Sequence, residues 1–324
     1  MSRKVYVVAI FFAFCLATSV NALTISPARI EITGDPGTTL RGEIELFNEQ
    51  EGTRTFFSSF ENFEPSGDSG APRFIGAKNS LATWMQASSQ VSLSSGERIK
   101  VPYSIAIPSN AEAGGYFAAV FFGSQPAKSE GGGEVLIGGK IGALILLRVS
   151  GEVSEEAGLL QFESINKKRF FTSIPVAFMY RISNSGGDRI VPQGEVKIKN
   201  TFWITSDTLL ANKNDGSVLP GSTRKFEVIW GNELDSDSNT KSFFESAHTQ
   251  WKDFHFGWYT AKLNLAWGTT DQTANASYYF FIFPWQLLLL LLLISIVVGF
   301  AGKAGLTRYN RYIIAQATLK KINE

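Results

Sequence analysis

Between Asp271 and Lys303 the chain carries no charged side chain, and the later part of that interval reads FPWQLLLLLLLISIVVGFAGK. Seven consecutive leucines begin at Leu287 and continue into Ile294, Ile296, Val297, Val298 and Phe300. A bilayer core takes about 20 apolar residues as α-helix, because lipid tolerates only a backbone whose polar groups are bonded within the segment. The stretch fits that length. Unbroken leucine also lacks the one-sided period of a helix lying half-wet on a soluble core, which is the alternative reading. The expected anchor covers residues 284–302, with the span itself beginning at Trp285 and ending at Gly302.

The other end sets the direction. Arg3 and Lys4 precede an apolar run, and Val20-Asn21-Ala22 places small residues where a signal peptidase reads. Residues 1–22 therefore read as a secretory signal cleaved after Ala22; a retained signal anchor is the alternative, disfavoured by the short apolar run. The one cysteine, Cys15, lies inside this segment, and the bulky Phe14 before it argues against lipoprotein processing. The processed chain then has neither disulfide nor thiol. Residues 23 to about 280 are expected outside the cell membrane and the tail, residues 303–324, inside it, because basic residues stay cytoplasmic. That tail sets Lys303, Arg308, Arg311, Lys320 and Lys321 against Glu324. It reads equally as an amphipathic helix along the inner leaflet or as a disordered stub. A net charge of +1 over 324 residues gives no nucleic-acid footprint.

Between the two membrane signals alternation replaces helical period. In LRGEIELF, Ile44 and Leu46 point one way and Glu43 and Glu45 the other; VPYSIAI repeats this with Val101, Tyr103, Ile105 and Ile107. IPVAFMYRI sets Ile174, Val176, Phe178, Tyr180 and Ile182 on one face, and YTAKLNLAW does so with Tyr259, Ala261, Leu263, Leu265 and Trp267. A period of two means strands with one wet face, hence packed antiparallel sheets. Turn signals such as Asp35-Pro36-Gly37, Ser185-Gly186-Gly187 and Pro220-Gly221 separate them. Many short strands with turns between them predict β-sandwiches, and the length of chain predicts two: residues 23–151 and residues 155–280. The flexible QPAKSEGGG, with Gly131 to Gly133, feeds the closing strands of the first. Two segments, residues 66–86 and 231–258, are too long for hairpins and are expected as functional loops.

Catalytic sets are scarce. His248, Asp253 and His255 make a conceivable metal set, but the spacing matches no known site and three ligands within one loop need a pre-shaped fold to converge. No GxSxG accompanies the serines. Glu43 with Glu45, on a strand, and Glu155 with Glu156, in a linker, are not placed to raise one carboxyl pKa for glycoside hydrolysis. The triple glycine is a linker, not a phosphate cradle. The expectation is a non-enzyme with no cofactor and no metal. Residues suited to binding are aromatic: Trp251, Phe254, Phe256 and Trp258 in the second long segment, and Trp84 with Phe60, Phe63 and Phe74 around the first. Flat rings stack on sugar faces or on a partner's apolar patch; the other reading has them covering the open ends of sandwiches.

The stretches ISPARIEITGDPGTTLRGEIELFN, SLATWMQASSQVSLSSGERIKVPYSIAIPSNAEAGGYFAAVFF and GGKIGALILLRVSGEV resemble the first domain of the WxL-interacting proteins of bacterial cell surfaces. IPVAFMYRISNSGGDRIVPQGEVKIKN, VLPGSTRKFEVIWG and FGWYTAKLNLAWG are similar to the family's second domain. The resemblance implies two immunoglobulin-like sandwiches, the first assigned to peptidoglycan binding and the second to host-protein binding, followed by a membrane span with a basic tail. Segment 231–258 departs from the pattern, and no ligand-contacting residue transfers position by position. The expected fold is thus all-β, two immunoglobulin-like antiparallel sandwiches and a single transmembrane helix. The expected function is a single-pass surface protein that binds peptidoglycan or another cell-wall polymer, or a secreted or surface protein. Alternatives are an assembly chaperone that lends a strand to secreted subunits through an open sheet edge, and an envelope hydrolase.

Overall fold

The computed structural model describes residues 23–125, 139–232, 242–269 and 271–322, with side chains to residue 313. The signal read at residues 1–22 and the triple glycine lie outside the described residues. The chain is an all-β fold of two immunoglobulin-like sandwiches followed by one long apolar helix. Two compact units divide it: one holds residues up to Glu156 with Asn184–Arg189 and Leu219–Ser222, the other Ala157–Ser183, Ile190–Val218 and Thr223–Glu324.

In the first unit the strands are β1 (Leu23–Ser26), β2 (Arg29–Gly34), β3 (Thr39–Asn48), β4 (Arg54–Ser66) and β5 (Ala71–Gly76). A single helical turn, α1 (Leu81–Trp84), leads to β6 (Met85–Ala87), β7 (Gln90–Leu93), β8 (Arg98–Ala106), β9 (Gly114–Gly123) and β10 (Lys140–Val149). One sheet runs β1-β3-β8-β6; the other runs β2-β10-β9-β4-β5, with β7 also on β4. Pro27, without an N–H for a ladder, ends β1, and the chain crosses to the second sheet, where β2 lies parallel to β10. The alternation read from the sequence is the packing: Ile44, Leu46, Val101, Tyr103 and Ile105 fill the core from one sheet, Phe56, Val120, Phe122, Ile145 and Leu147 from the other. Each fully buried aliphatic or aromatic side chain contributes about 1.5–3 kcal/mol relative to exposure.

Segment 66–86 is not a loop. β4 ends at the segment's first residue, Ser66; the chain turns at Gly67 and Gly70, both at positive φ, returns as β5 and goes on into α1 and β6. Those two glycines supply the left-handed backbone the turn requires.

Asn48 is a buried polar side chain at the end of β3. Its Nδ2 lies 3.1 Å from the carbonyls of Gly52, Leu93 and Ser94, and its Oδ1 accepts from the Gln50 N–H at 3.0 Å. Asn48→Ala removes four hydrogen bonds, the one to the Leu93 carbonyl in a buried site, and is expected to lower the stability of the first unit by about 1–3 kcal/mol. Hydrogen exchange of residues 49–53 and 93–96 should quicken accordingly; unchanged exchange there would show that water replaces the amide.

The second unit contains β11 (Ala157–Ser164), β12 (Phe170–Phe171), β13 (Val176–Asn184), β14 (Gln193–Lys199), β15 (Thr205–Leu210) and β16 (Ser222–Trp230). After these come α2 (Phe243–Lys252), β17 (Gly257–Trp267), β18 (Gln272–Ile282) and α3 (Trp285–Ile322). Its sheets are β11-β13-β16 and β12-β18-β17-β14-β15. Val176, Phe178, Tyr180 and Ile182 meet Tyr259, Ala261, Leu263, Leu265 and Trp267 across the core.

Segment 231–258 holds a helix where a loop was expected. α2 starts at a capping box, in which the Ser242 hydroxyl accepts from the Glu245 N–H and the Glu245 carboxylate from the Ser242 N–H. α3 is one helix of 38 residues, about 57 Å at 1.5 Å per residue. Trp285–Ile313 is long and apolar enough to cross a membrane. The helix continues past Gly302 to Ile322.

Candidate functional site

Four of the five expected binding aromatics gather in the second unit and are exposed: Trp251 on the last turn of α2, Phe254 and Phe256 in the link to β17, and Trp258 at its start. Trp258 is paired with Phe281 on β18, their ring centroids 5.1 Å apart, and Phe170 on β12 lies 6.5 Å from Trp258 and 6.2 Å from Phe281. Phe256 continues the group, 6.0 Å from Phe281 and 6.2 Å from Phe283. Pleat parity explains the arrangement: Tyr259, Phe280 and Ile282 turn inward, so Trp258 and Phe281 must turn outward. Trp84 differs. It lies on α1 in the first unit, half-buried against the core, with its ring 4.7 Å from that of Tyr116.

α2 presents an inverted surface. Its buried positions are Ala247 and Gln250, whereas Phe244 and Trp251, two turns apart on one face, are 71% and 66% exposed. Gln250 explains the helix's placement. Its Oε1 accepts the Leu287 N–H at 2.9 Å and its amide bonds to Gln286. It thus satisfies an N–H in the first turn of α3 that has no partner within the helix. Phe243 packs edge-on against Trp285 at 5.9 Å.

Sequence reasoning passed over Phe202, Trp203 and Ile204, at the tip of the β14–β15 hairpin, which are 80%, 67% and 62% exposed. The available signal was composition: three large apolar residues stand where a hairpin turn ordinarily carries glycine, asparagine or aspartate.

The histidines do not form a metal centre with Asp253. The His255 ring packs against Trp230 and Tyr259, with Nδ1 3.0 Å from the Asp253 main-chain oxygen. Among the described residues no group of three or more His, Cys, Asp and Glu side chains is placed to hold a metal. Glu43 and Glu45 face water, where they pair with Lys100 at 3.6 Å and Arg98 at 2.9 Å.

A second feature belongs to the first unit. β9 pairs with β10 along its whole length, but β2 covers the other edge only from Leu144 to Val149. Among the described residues, no strand pairs with that edge at Lys140, Ile141, Gly142 and Ala143. Leu144 donates its N–H across this edge to Ala28 O at 2.9 Å, so by strand alternation Gly142 turns its N–H and C=O to the same side, where no described strand pairs with it. Beside it a cavity of about 450 Å³ opens, with Leu23, Phe56, Phe122 and Ile141 on its apolar walls. An edge with no strand partner among the described residues, next to an apolar cavity, can take an added strand and lodge one of its side chains.

No family model matches the chain. No curated protein matches it either. Among solved structures it is similar to the class 5 fimbriae chaperone CfaA, at 11% identity over 80% of this chain and 99% of that one, with a TM-score of 0.38. It is also similar to a CsuC–CsuE chaperone–tip adhesion subunit complex of Acinetobacter baumannii, at 9% identity over 79% and 97% with a TM-score of 0.36. A third is the Salmonella enterica SafA pilin with the SafB chaperone, at 8% identity over 82% and 99% with a TM-score of 0.35. Likenesses this distant say nothing of ligand or activity. The fold rests on the strand order and the two cores described above.

Proposed function

We propose that this chain is a membrane-tethered, non-catalytic assembly factor that holds exported protein subunits by strand pairing. Its sandwiches lie outside the cell membrane and its basic helix end lies in the cytoplasm. The supporting observation is the open β10 edge beside its apolar cavity. An extended segment of a subunit bonds to the Gly142 backbone, and one of its alternate side chains enters between Leu23 and Ile141. Main-chain bonds give affinity in this mode, and the pocket gives selectivity.

Ile141→Lys puts a charge on the cavity wall while leaving the deep core untouched. It is expected to weaken capture roughly tenfold or more, because desolvating an unpaired charge exceeds the ~1.4 kcal/mol that a tenfold change represents. The measurement is photo-crosslinking from position 124, with the full chain in its native membrane. Crosslinks to an exported protein should be present in the parent chain and lost in the variant. Crosslinks that survive Ile141→Lys would refute the edge as the binding site.

The resemblance to the WxL-interacting proteins supports a second reading, in which the first sandwich binds peptidoglycan. The stretches that carry that resemblance build β1 to β3 and α1 to β10. Retention of the full chain on purified cell wall, unaltered by Ile141→Lys, would favour it.

A further inference from the structure

The exposed aromatics of the second unit have a common direction. Along the outer face of β17 and β18, side chains change character with distance from α3. Next to the helix are Phe283, Phe281 and Trp258; Tyr279 and Thr260 follow; beyond them are Lys262, Ser277 and Asn275. Phe281 and Phe283 span about 7 Å at 3.4 Å per residue, and an interfacial layer is about 5–8 Å deep on each side of the hydrocarbon core. Tyr279, apolar in body and polar at its tip, stands at the boundary.

The β14–β15 hairpin reaches the same level from another part of the chain. Lys199 is opposite Thr260 and Gly257 is opposite Ile282, so residues beyond Lys199 project toward the end of the sheet from which α3 departs. The Thr201 hydroxyl donates to the Trp258 carbonyl at 3.0 Å and fixes the tip there. Asn200 Oδ1 accepts from the N–H groups of Phe202 and Ile204 at 3.0 and 3.1 Å. Within this clamp Trp203 is held at φ +62°, a left-handed backbone that bulky residues avoid. Backbone strain of this kind clusters at sites that contact a ligand, and here it turns a large ring outward.

We propose that these rings form a membrane-docking surface, seated in the headgroup–acyl boundary of the leaflet that α3 enters. The hairpin tip with Phe202 and Trp203, the sheet end with Trp258 and Phe281, and α2 with Phe244 and Trp251 are its three parts. Bilayer lipid is the occupant because the surface is continuous with the membrane helix: Phe283 is two residues from Trp285, and Gln250 binds α2 to the helix's first turn. Aromatic rings concentrate at that depth. Lys168 and Arg169 precede Phe170, and the Arg169 carbonyl accepts the Phe281 N–H at 2.7 Å, so this basic pair stands at the level of the phosphates. The second sandwich thus lies in contact with the bilayer and does not swing above it on a tether. This inference needs α3 to enter a bilayer and is independent of strand capture by the first unit.

Nitroxide labels test it on the full chain, in a Cys15→Ser background, one chain per lipid nanodisc. Labels go to Trp203→Cys, Trp258→Cys, Lys262→Cys, Asn275→Cys and Leu292→Cys, all at exposed positions. Power saturation should show the labels at 203 and 258 roughly fivefold less accessible to a water-soluble nickel chelate than those at 262 and 275, as for an interfacial depth of ~5–10 Å. The label at 292 should be accessible to oxygen alone. Equal accessibility at 258 and 262 would overturn the docking surface while leaving the anchor intact. Water access at 292 would overturn both. Protection at 203 and 258 that arises only after soluble peptidoglycan fragments are added, or only when two chains share a nanodisc, would assign the rings to a polymer or to a second copy and defeat the proposal.

Discussion

Gly194→Ala should cost the second sandwich about 4 kcal/mol or more, among the larger losses a single methyl group can cause. Gly194 sits on β14, paired to Leu265 of β17, at φ +152°. A Cβ there would lie 2.0 Å from the Asn264 carbonyl oxygen and 3.0 Å from Leu265 Cα, both main-chain atoms of the neighbouring strand. A flexible side chain could rotate away, but a ladder cannot. The Gly194 carbonyl also accepts the Ala211 N–H at 2.9 Å, so shifting the residue breaks contacts on the β15 side too. β14 is an interior strand, and separating it from β17 detaches the hairpin tip that carries Trp203. Hydrogen exchange should lose protection in β14 to β17 and keep it in β3 and β8 of the other unit. A loss below about 1 kcal/mol would mean that the sheet yields at this point without parting.

Raising the pH above 10 should weaken the same sandwich steeply, and Tyr180→Phe should remove part of that dependence. Tyr180 is fully buried, stacked on Phe226 at 4.9 Å and 9°, and its hydroxyl donates to the Ala211 carbonyl at 3.1 Å. Burial drives its pKa far above the ordinary 10, partly offset by the positive charge of Arg224. In the unfolded chain a tyrosine releases its proton near pH 10, while the folded one keeps it. Below pH 10 both states hold the proton and the contribution to stability is complete. Above it the unfolded state binds fewer protons, so stability falls by about 1.4 kcal/mol per pH unit for each such tyrosine until the folded group titrates. Tyr259, also raised by burial, adds to the slope. Urea titrations followed by near-ultraviolet circular dichroism at pH 9, 10 and 11 should show Tyr180→Phe about 1 kcal/mol weaker at pH 9 but shallower above pH 10. An unchanged slope in the variant would relocate the titration elsewhere.

The core was legible in the sequence because its rule is local. Every inward residue of YTAKLNLAW, from Tyr259 to Trp267, is buried, since a strand cannot turn one of them out without turning all. α2 was missed because its apolar residues at helical spacing, Phe244, Ala247 and Trp251, stand in a segment read as a long loop, and Phe244 and Trp251 turn outward instead of into a core. Ser242 and Glu245, three residues apart, were a second local sign. The open edge of β10 was hidden because alternation names a strand's faces and never its neighbours; that β2 stops at Leu144 follows from a parallel pairing between the two ends of the unit. The sequence left open whether Trp251, Phe254, Phe256 and Trp258 are exposed or cover a sandwich end; they are exposed, whereas Trp84 and Tyr116 pack on each other from distant parts of the chain.

That parallel pairing also governs when the first sandwich can exist. The Ser150 N–H donates to Gly34 O at 3.0 Å, and the two residues stand 116 apart. Contacts this remote in sequence form last and slowly, because loop closure must precede any gain from them. As the chain emerges N-terminus first, β1 can pair with β3 early, but β2 waits with unpaired edges until β10 arrives. Through that interval the unit is a set of sticky, half-made sheets, and its yield depends on whatever shields β2 before residue 149 appears.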